Sequence, residues 1–247
     1  MTLNITPTIP TVPESRDHGA EQANSEATGR SVLKIEAYFD FVCPWCLIGK
    51  RNLDVAVSRF ASSRPDVRVL VQWRSHQLLP RTPLDGMPYQ AFYRDRLGSA
   101  EAVAARRAQV QQAGRDAGIE FAFDRIQVLP NTTAAHDLVT FAASRGTGAQ
   151  TAELIDRLFT AYFMEGENIG EREVLERLGL ECGLEHASLN AHMAESQREA
   201  DPTGQRVRYA DAPVSGVPYF VFNMGYSLSG AYSPVAIASA MTLAVAN

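Results

Sequence analysis

The fold is decided by the stretch Cys43-Pro44-Trp45-Cys46, which stands between a strand-like segment and a helix-like one. Residues 32–39 place their apolar side chains on alternate positions, which predicts a strand that ends at Asp40. Apolar residues recur at near-helical spacing after the motif, and Pro44 suits a first helical position because its missing N–H needs no partner there. The sequence therefore predicts a strand, a cysteine pair and a helix, with Cys43 as the N-cap.

This position has a chemical consequence for the two cysteines. An N-cap sulfur lies over the unpaired N–H groups of the first turn, at the positive end of the helix dipole. Helix N-termini in Cys-X-X-Cys loops lower the cysteine pKa from about 8.5 to roughly 3.5–7.5, so Cys43 is expected to ionise near neutrality. Cys46 lies one turn further on the same face, within about 5–6 Å at Cβ. We therefore expect an exposed thiolate at Cys43 and a sheltered resolving thiol at Cys46.

A zinc half-site is the alternative interpretation of this cysteine spacing. A structural zinc needs about four ligands, and the sequence has no second Cys-X-X-Cys and no close pair of histidines. The spacing therefore favours a redox pair, and no metal is expected.

Three charged residues near the motif have less specific patterns. Asp40 precedes Cys43 by three residues and is expected to accept a proton from Cys46 or to tune the pKa of both thiols. A carboxylate that ends a strand is equally typical of a turn, so that alternative stays open. Lys50 and Arg51 are expected to lie on a solvated face of the helix.

Length and composition indicate a globular protein of one large or two small domains. The 247 residues are 45% apolar, which is enough for a sizeable core. The formal charge of −5 and the dispersed basic residues argue against nucleic acid as a partner. Three cysteines are too few for a disulfide scaffold, and Cys182 is interpreted as a buried small hydrophobe. No signal-peptide pattern or run of ~20 apolar residues is present, so we expect a cytoplasmic protein without membrane contact.

The chain divides into three predicted parts. Residues 1–30 have no aromatic residue and no sustained period, which predicts a disordered extension. Residues 31–79 predict strand, helix and strand, and residues 212–247 predict a hairpin and a last helix, so together they form an α/β domain. Residues 80–211 are too long for a connection and predict an inserted all-helical domain. Its helical signals lie at 99–117, 135–142, 154–162, 174–178 and 186–198.

Five stretches of the sequence also resemble one known family. They are residues 39–51, Pro130-Asn131-Thr132 with His136, Ala161-Tyr162-Phe163, residues 215–220 and Ser229-Gly230-Ala231. Together they resemble the DsbA-like oxidoreductases, in the FrnE-like branch near the 2-hydroxychromene-2-carboxylate isomerases and kappa-class glutathione transferases. The resemblance implies a DsbA-like thioredoxin fold, βαβ…ββα, with a long all-helical insertion.

Two departures from the relatives bear on function. The isomerases and kappa-class transferases usually carry serine at the first cysteine position and use glutathione, whereas this chain keeps Cys43 and Cys46. Tyr232 stands where the family often has glutamine or an acidic residue, so a glutathione contact there is not carried over. The expected function is thiol–disulfide exchange with protein or small-molecule partners and no obligatory cofactor. The alternative is an isomerase or transferase that uses glutathione on a small substrate, with an aromatic compound as one option. A homodimer stays open.

The resemblance also assigns roles outside the cysteines. It implies that Pro218 is a cis-proline facing the pair, and that the Val217 backbone binds an extended substrate. The alternative is a proline that merely starts a strand. Pro44 and Trp45, between the cysteines, are expected to shape the substrate surface. Two further cleft residues are implied, Asn131 and His136, against the alternatives of a turn or cap residue for Asn131 and a structural role for His136.

Overall fold

The structure is a computed structural model that describes residues 31–199 and 214–246. Within them the chain forms two compact units, which we call the sheet unit and the helical unit. The sheet unit comprises residues 31–39, 49–74 and 214–246. The helical unit comprises residues 40–48 and 75–199. The predicted extension over 1–30 and the predicted boundary at 212 lie outside the described residues.

The sheet unit is built on four strands in the order β2-β1-β5-β6. They are β1 (Ser31–Phe39), β2 (Val67–Ser75), β5 (Tyr219–Phe222) and β6 (Tyr226–Ser229). Strand β5 pairs antiparallel with both β1 and β6. The side chains of Leu33, Ile35 and Ala37 are buried on one face of β1, as their alternation predicts.

Two helices are joined to this sheet in sequence. Helix α1 (Pro44–Ser63) follows β1 and supplies residues to both units, and helix α8 (Pro234–Val245) follows β6. The Ser233 hydroxyl caps α8 by accepting the Ala236 N–H at 3.4 Å, and Pro234 occupies the first turn. The predicted βαβ…ββα arrangement is confirmed.

The helical unit contains most of the remaining helices. They are α2 (Tyr89–Leu97), α3 (Ala100–Asp116), α4 (Thr133–Arg145), α5 (Gly148–Thr160), α6 (Arg172–Glu181) and α7 (His186–Glu199). Helices α3 to α7 match the five predicted signals, whereas α2 was not predicted. A small antiparallel pair also stands among the helices, between β3 (Met87–Pro88) and β4 (Val128–Leu129). Strands of two residues are too short for alternation to reveal them.

Helix α5 continues into one wide turn of π-helix, Ala161–Glu165, that ends at Gly166 in the left-handed region with φ 78°. Wide turns of this kind rotate the following side chains relative to the helix before them. Here Tyr162 and Phe163 are buried in the helical unit, and the Phe163 carbonyl accepts the Ala122 N–H at 2.9 Å. None of the helices in the described part of the chain is long and apolar enough to cross a membrane.

Candidate active site at the start of helix α1

The cysteine pair lies where β1 gives way to α1. The chain leaves β1 at Phe39 and makes a turn in which the Cys43 N–H donates to the Asp40 carbonyl at 3.1 Å. Helix α1 begins at Pro44, and the Cys46 N–H donates to the Cys43 carbonyl at 3.0 Å. Cys43 is therefore the residue that caps the helix N-terminus, as predicted.

Both cysteines are free thiols, and both are buried. Cys43 is 5% exposed and Cys46 is 2% exposed. The expectation of an exposed Cys43 is therefore wrong, because a short side chain at the junction of two buried elements is covered by its surroundings. The half-buried side chains of the motif are those of Pro44 and Trp45. Their expected role in shaping the substrate surface stays a prediction.

The two sulfurs have different electrostatic surroundings. Burial raises the pKa of Cys46 well above its ordinary value, and the hydrogen bond from its thiol to Cys43 raises it further. The negative charges of Cys43 and Asp40 also raise the pKa of Cys46. A backbone hydrogen bond at Asp40 lowers it in part. Cys46 is therefore held as a neutral thiol that donates to the sulfur of Cys43.

Asp40 and His136 form a buried pair near the cysteines. His136 Nε2 lies 3.2 Å from Asp40 Oδ1, and Asp40 Oδ2 accepts the Leu78 N–H at 2.8 Å. The His136 ring also packs against Phe41, with ring centres 4.9 Å apart. Nearby, burial lowers the pKa of His76, with opposing contributions from Asp40, which raises it, and His136, which lowers it. The sequence singled out Asp40 and His136 separately, and the structure brings them into one pair.

Asn131 uses both ends of its side-chain amide within the helical unit. Its Nδ2 donates to the Thr82 carbonyl at 2.6 Å, and its Oδ1 accepts the Thr133 N–H at 2.9 Å. This local pattern is an Asx turn at the start of α4, the alternative that the sequence left open. A role for Asn131 in substrate binding stays a prediction.

Tyr93, on the unpredicted helix α2, lies near the cysteine motif. Its ring is 4.7 Å from that of Tyr89, centre to centre. Burial raises the pKa of Tyr93, and Tyr89 and the negative charges of Cys43 and Asp40 raise it further. The Tyr93 phenol is therefore a neutral hydrogen-bond donor in the electrostatic reach of Cys43. Within the described residues, the fully buried hydroxyl of Tyr162 has no hydrogen-bond partner.

Arg106, on α3, is a second residue of the insertion that no sequence pattern singles out. Its guanidinium carbon lies over the Trp45 ring, 5.8 Å from the ring centre. No sequence signal separates Arg106 from the other arginines of the same helix, because which of them reaches the motif depends on how the helix is placed.

The sheet unit holds the predicted proline. The Val217–Pro218 peptide bond is cis, as the resemblance implies. Pro218 packs closely over Gly49, where an added Cβ would lie 2.9 Å from Pro218 Cγ. Glycine at this position of α1 therefore allows Pro218 to approach the helix backbone. The roles of Pro218 and Val217 in substrate binding stay predictions.

Lys50 differs from its expected position on a solvated face. It is 2% exposed, its Nζ pairs with Asp54 Oδ2 at 2.9 Å, and the ammonium lies 5.5 Å from the centre of the Trp73 ring. Its long aliphatic stem allows burial while the charge is held by a carboxylate and an aromatic face. Arg51 is half-buried. Within the described residues, no group of three or more His, Cys, Asp and Glu side chains is arranged to hold a metal ion.

Comparison with known proteins identifies the family. Residues 34–242 match the model of the DSBA-like thioredoxin domain. The chain belongs to the DSBA-like thioredoxin family. This is a family of thiol–disulfide oxidoreductases, which supports an enzyme at that coarse level.

The relatives of this DSBA-like chain include proteins of different names. The uncharacterized protein YwbO of Bacillus subtilis (strain 168) is 28% identical over 191 residues, which cover 76% of this chain and 86% of YwbO. The crystal structure of a probable DsbA oxidoreductase from Streptomyces coelicolor is similar with a TM-score of 0.73 and 24% identity, over 87% of this chain and 91% of that one. A 2-hydroxychromene-2-carboxylate isomerase is similar with a TM-score of 0.54 and 16% identity, over 85% and 95%. The two structures show a shared fold, and the fold alone does not separate redox from isomerase chemistry.

Proposed function

We propose that this protein catalyses thiol–disulfide exchange, with Cys43 as the attacking thiolate and Cys46 as the resolving thiol. The observation that carries the proposal is the asymmetry of the two free thiols. Cys43 caps the N-terminus of α1, where the helix dipole favours a negative sulfur. Cys46 is more deeply buried and donates its proton to Cys43 in a hydrogen bond.

The proposed reaction proceeds in two displacement steps. The Cys43 thiolate attacks one sulfur of a disulfide substrate, the substrate S–S bond breaks, and the other half leaves as a thiolate. Cys46 then loses its proton and attacks the sulfur of Cys43, which releases the second half and forms the Cys43–Cys46 disulfide. Two electrons pass from the cysteine pair to the substrate, and the reverse sequence oxidises a dithiol. Substrates are protein or small-molecule thiols and disulfides.

Cys46 needs a proton acceptor for the second step, and Asp40 is suited to the task. Asp40 is fully buried, its charge acts directly on the pKa of Cys46, and its carboxylate is hydrogen-bonded to His136. Once Cys43 is in a mixed disulfide it no longer carries the negative charge that received the Cys46 hydrogen bond. We assign acceptance of the proton to Asp40, with His136 stabilising and orienting the carboxylate.

The direction of exchange depends on the reduction potential of the pair. The cytoplasm, which the sequence analysis favours, has a glutathione poise of about −220 to −320 mV, so we propose reductase or isomerase activity. Equilibration of the purified protein with glutathione redox buffers measures the potential. A value near about −120 mV would make the pair an oxidant and contradict this direction.

Trapping of the mixed disulfide tests the proposed roles. Cys46→Ser is expected to accumulate a covalent adduct with a disulfide substrate, because Cys43 still attacks and nothing resolves the product. Cys43→Ser is expected to form no adduct, and Cys182→Ser is expected to turn over like wild type. Mass spectrometry of the intact protein after acid quenching measures all three. The redox assignment would be overturned if none of the three variants formed an adduct while all of them retained a glutathione-dependent isomerisation.

A further inference from the structure

A cation of the insertion lies over the half-buried indole between the two cysteines. The guanidinium carbon of Arg106 is 5.8 Å from the centre of the Trp45 ring. A guanidinium over an aromatic face is held through its planar surface, and its N–H groups point outward along its edge, where they can donate to another group. The Arg106–Trp45 pair therefore presents a positive edge next to the redox motif.

The other contacts of Arg106 leave most of this edge accessible. Its side chain is exposed, and its Nη1 donates to Gln109 Oε1 at 2.7 Å. In the described part of the chain no carboxylate pairs with it. The neighbouring Arg107 is different, because it donates to Gln90 and pairs with Asp124. The guanidinium of Arg107 is therefore used in contacts between elements of the helical unit, whereas the hydrogen bond of the Arg106 guanidinium goes to a glutamine of its own helix.

Arg115 provides a reference on the same helix. It is exposed like Arg106, and its Nη2 donates to Gln112 Oε1 at 2.5 Å, so the local Arg–Gln hydrogen bond is of the same kind. No aromatic ring of the described residues lies beneath its guanidinium. Nine residues of α-helix separate the two arginines, about 13 Å, which exceeds the Debye length at physiological salt. Removal of Arg115 therefore changes the net charge without changing the field at the motif.

We propose that Arg106 determines substrate specificity by selecting disulfides and thiols that carry an anionic group within a few bonds of the reacting sulfur. The inference rests on the exchange reaction proposed above, in which the substrate sulfur must reach Cys43. The proposal places a carboxylate attached near that sulfur against the Arg106 edge, which lies over Trp45 in the same four-residue motif as Cys43. Anionic substrates gain an ion pair, cationic substrates are repelled, and neutral substrates are indifferent.

Three disulfides of similar length and different charge test the proposal. They are 3,3′-dithiodipropionate (anionic), bis(2-hydroxyethyl) disulfide (neutral) and cystamine (cationic). The second-order rate of oxidation of the reduced protein by each disulfide is measured from the loss of alkylatable protein thiols, counted by mass spectrometry after acid quenching. It is divided by the rate at which dithiothreitol, a neutral dithiol, reduces the same disulfide, followed by formation of its cyclic oxidised product. This division removes the intrinsic reactivity of each compound, and leaves the preference of the protein.

Arg106→Gln is expected to lower the ratio of anionic to neutral rates by about three- to fivefold, the size of one solvent-exposed ion pair, and to raise the cationic rate. Arg106→Lys is expected to keep most of the wild-type ratio, and Arg115→Gln all of it. High salt, at about 1 M, is expected to bring wild type to the Arg106→Gln ratio, because the Debye length is then about 3 Å. A merely structural role for Arg106 would change all three rates together.

Two results would overturn the inference, and they are distinguishable. Equal ratios in wild type and Arg106→Gln, with normal oxidation by the neutral disulfide, refute the role of Arg106 and leave the exchange reaction intact. Failure of every disulfide to oxidise Cys43 and Cys46 in wild type refutes the exchange reaction and the specificity with it.

Discussion

Cys43 at the start of α1 and Cys182 at the end of α6 are buried to nearly the same extent, yet their surroundings are opposite. Their exposures are 5% and 6%. Cys43 caps a helix N-terminus, where unpaired N–H groups favour a thiolate, and Cys182 follows the last residue of its helix, where carbonyl groups disfavour one. Burial raises the pKa of Cys182 to about 11, and the charge of Glu153 raises it while Arg157 lowers it.

This comparison shows that burial alone does not identify a working thiol. A buried sulfur at the positive end of a helix, with a second thiol hydrogen-bonded to it, has the features of a nucleophile. A buried sulfur at the negative end has those of an inert packing residue. The local charge distribution, rather than the exposed area, separates the two cysteines.

The largest effect is expected from serine at each of these positions. Cys43→Ser should lower disulfide exchange to the background rate, because the attacking sulfur is gone, whereas Cys182→Ser should retain at least about half of the wild-type rate. Insulin reduction with a dithiol donor measures both. A comparable loss in the two variants would mean that the helix ends do not distinguish the cysteines.

Removal of the Asp40 carboxylate tests the second step. Asp40→Asn is expected to slow release of the mixed disulfide by about 10²-fold at pH 7, the lower range for loss of a general base. Because the charge of Asp40 also raises the pKa of Cys46, the rate in the variant should recover as pH rises and Cys46 ionises unaided. Single-turnover decay of the mixed disulfide across pH is the measurement. Asp124→Asn, which neutralises an exposed carboxylate, should behave like wild type.

A smaller effect is expected from the hydroxyl of Tyr93. Tyr93→Phe removes a neutral hydrogen-bond donor near the charge of Cys43, so alkylation of Cys43 at pH 7 should slow by up to about tenfold. Tyr89→Phe is the matched control, because the Tyr89 hydroxyl bonds Arg107 and the Cys43 charge does not act on its pKa. The pH profile of iodoacetamide alkylation separates the two. Equal profiles for both variants would remove Tyr93 from the site.

The smallest effect concerns stability at alkaline pH. The folded-state pKa of Cys182 is about 11, and its ordinary value is 9.0. The contribution of this thiol to folding stability is therefore fully present below pH 9.0 and is lost as the pH rises towards 11. Over this pH window the free energy of unfolding of Cys182→Ala should therefore fall less than that of wild type. The expected difference is about 1 kcal/mol after solvent screening is allowed for. Urea unfolding at several pH values measures the slope. An unchanged slope would show that Cys182 does not titrate differently in the folded and unfolded chain.

The elements with local signals were predicted from the sequence. Alternation in β1 and the Ser233-Pro234 start of α8 depend only on neighbouring residues, so they appear in the structure as expected. Helix α2 was missed because it is short and rich in charged residues, and its C-terminal signal, Gly98 in the left-handed region, stands directly before the Ser99 cap of α3. Gly98 and Ser99 together mark the boundary between two consecutive helices, which the spacing of apolar residues alone does not reveal.

The candidate site was only partly predictable, because only some of its features depend on neighbouring residues. The cysteine motif and its helix cap are contiguous, so their chemistry could be inferred from spacing. Asp40 and His136 are 96 residues apart, and no period relates them. Lys50 was misplaced because its partner Asp54 stands one turn away on the same helix, as in an exposed ion pair, and nothing local in the sequence shows that Trp73 will lie against the ammonium.

The sequence by itself determined the order of strand, cap, thiol and helix at Cys43–Cys46, because each of these features depends on residues a few positions apart. Only the tertiary structure decided that both thiols are buried, that His136 pairs with Asp40, that the charge of Cys43 acts on Tyr93, and that Arg106 lies over the Trp45 ring. Helical periodicity predicts which face of a helix is apolar, but not which partner it packs against or at what height along its axis. Those choices place the phenol and the guanidinium, and with them the expected preference for substrate.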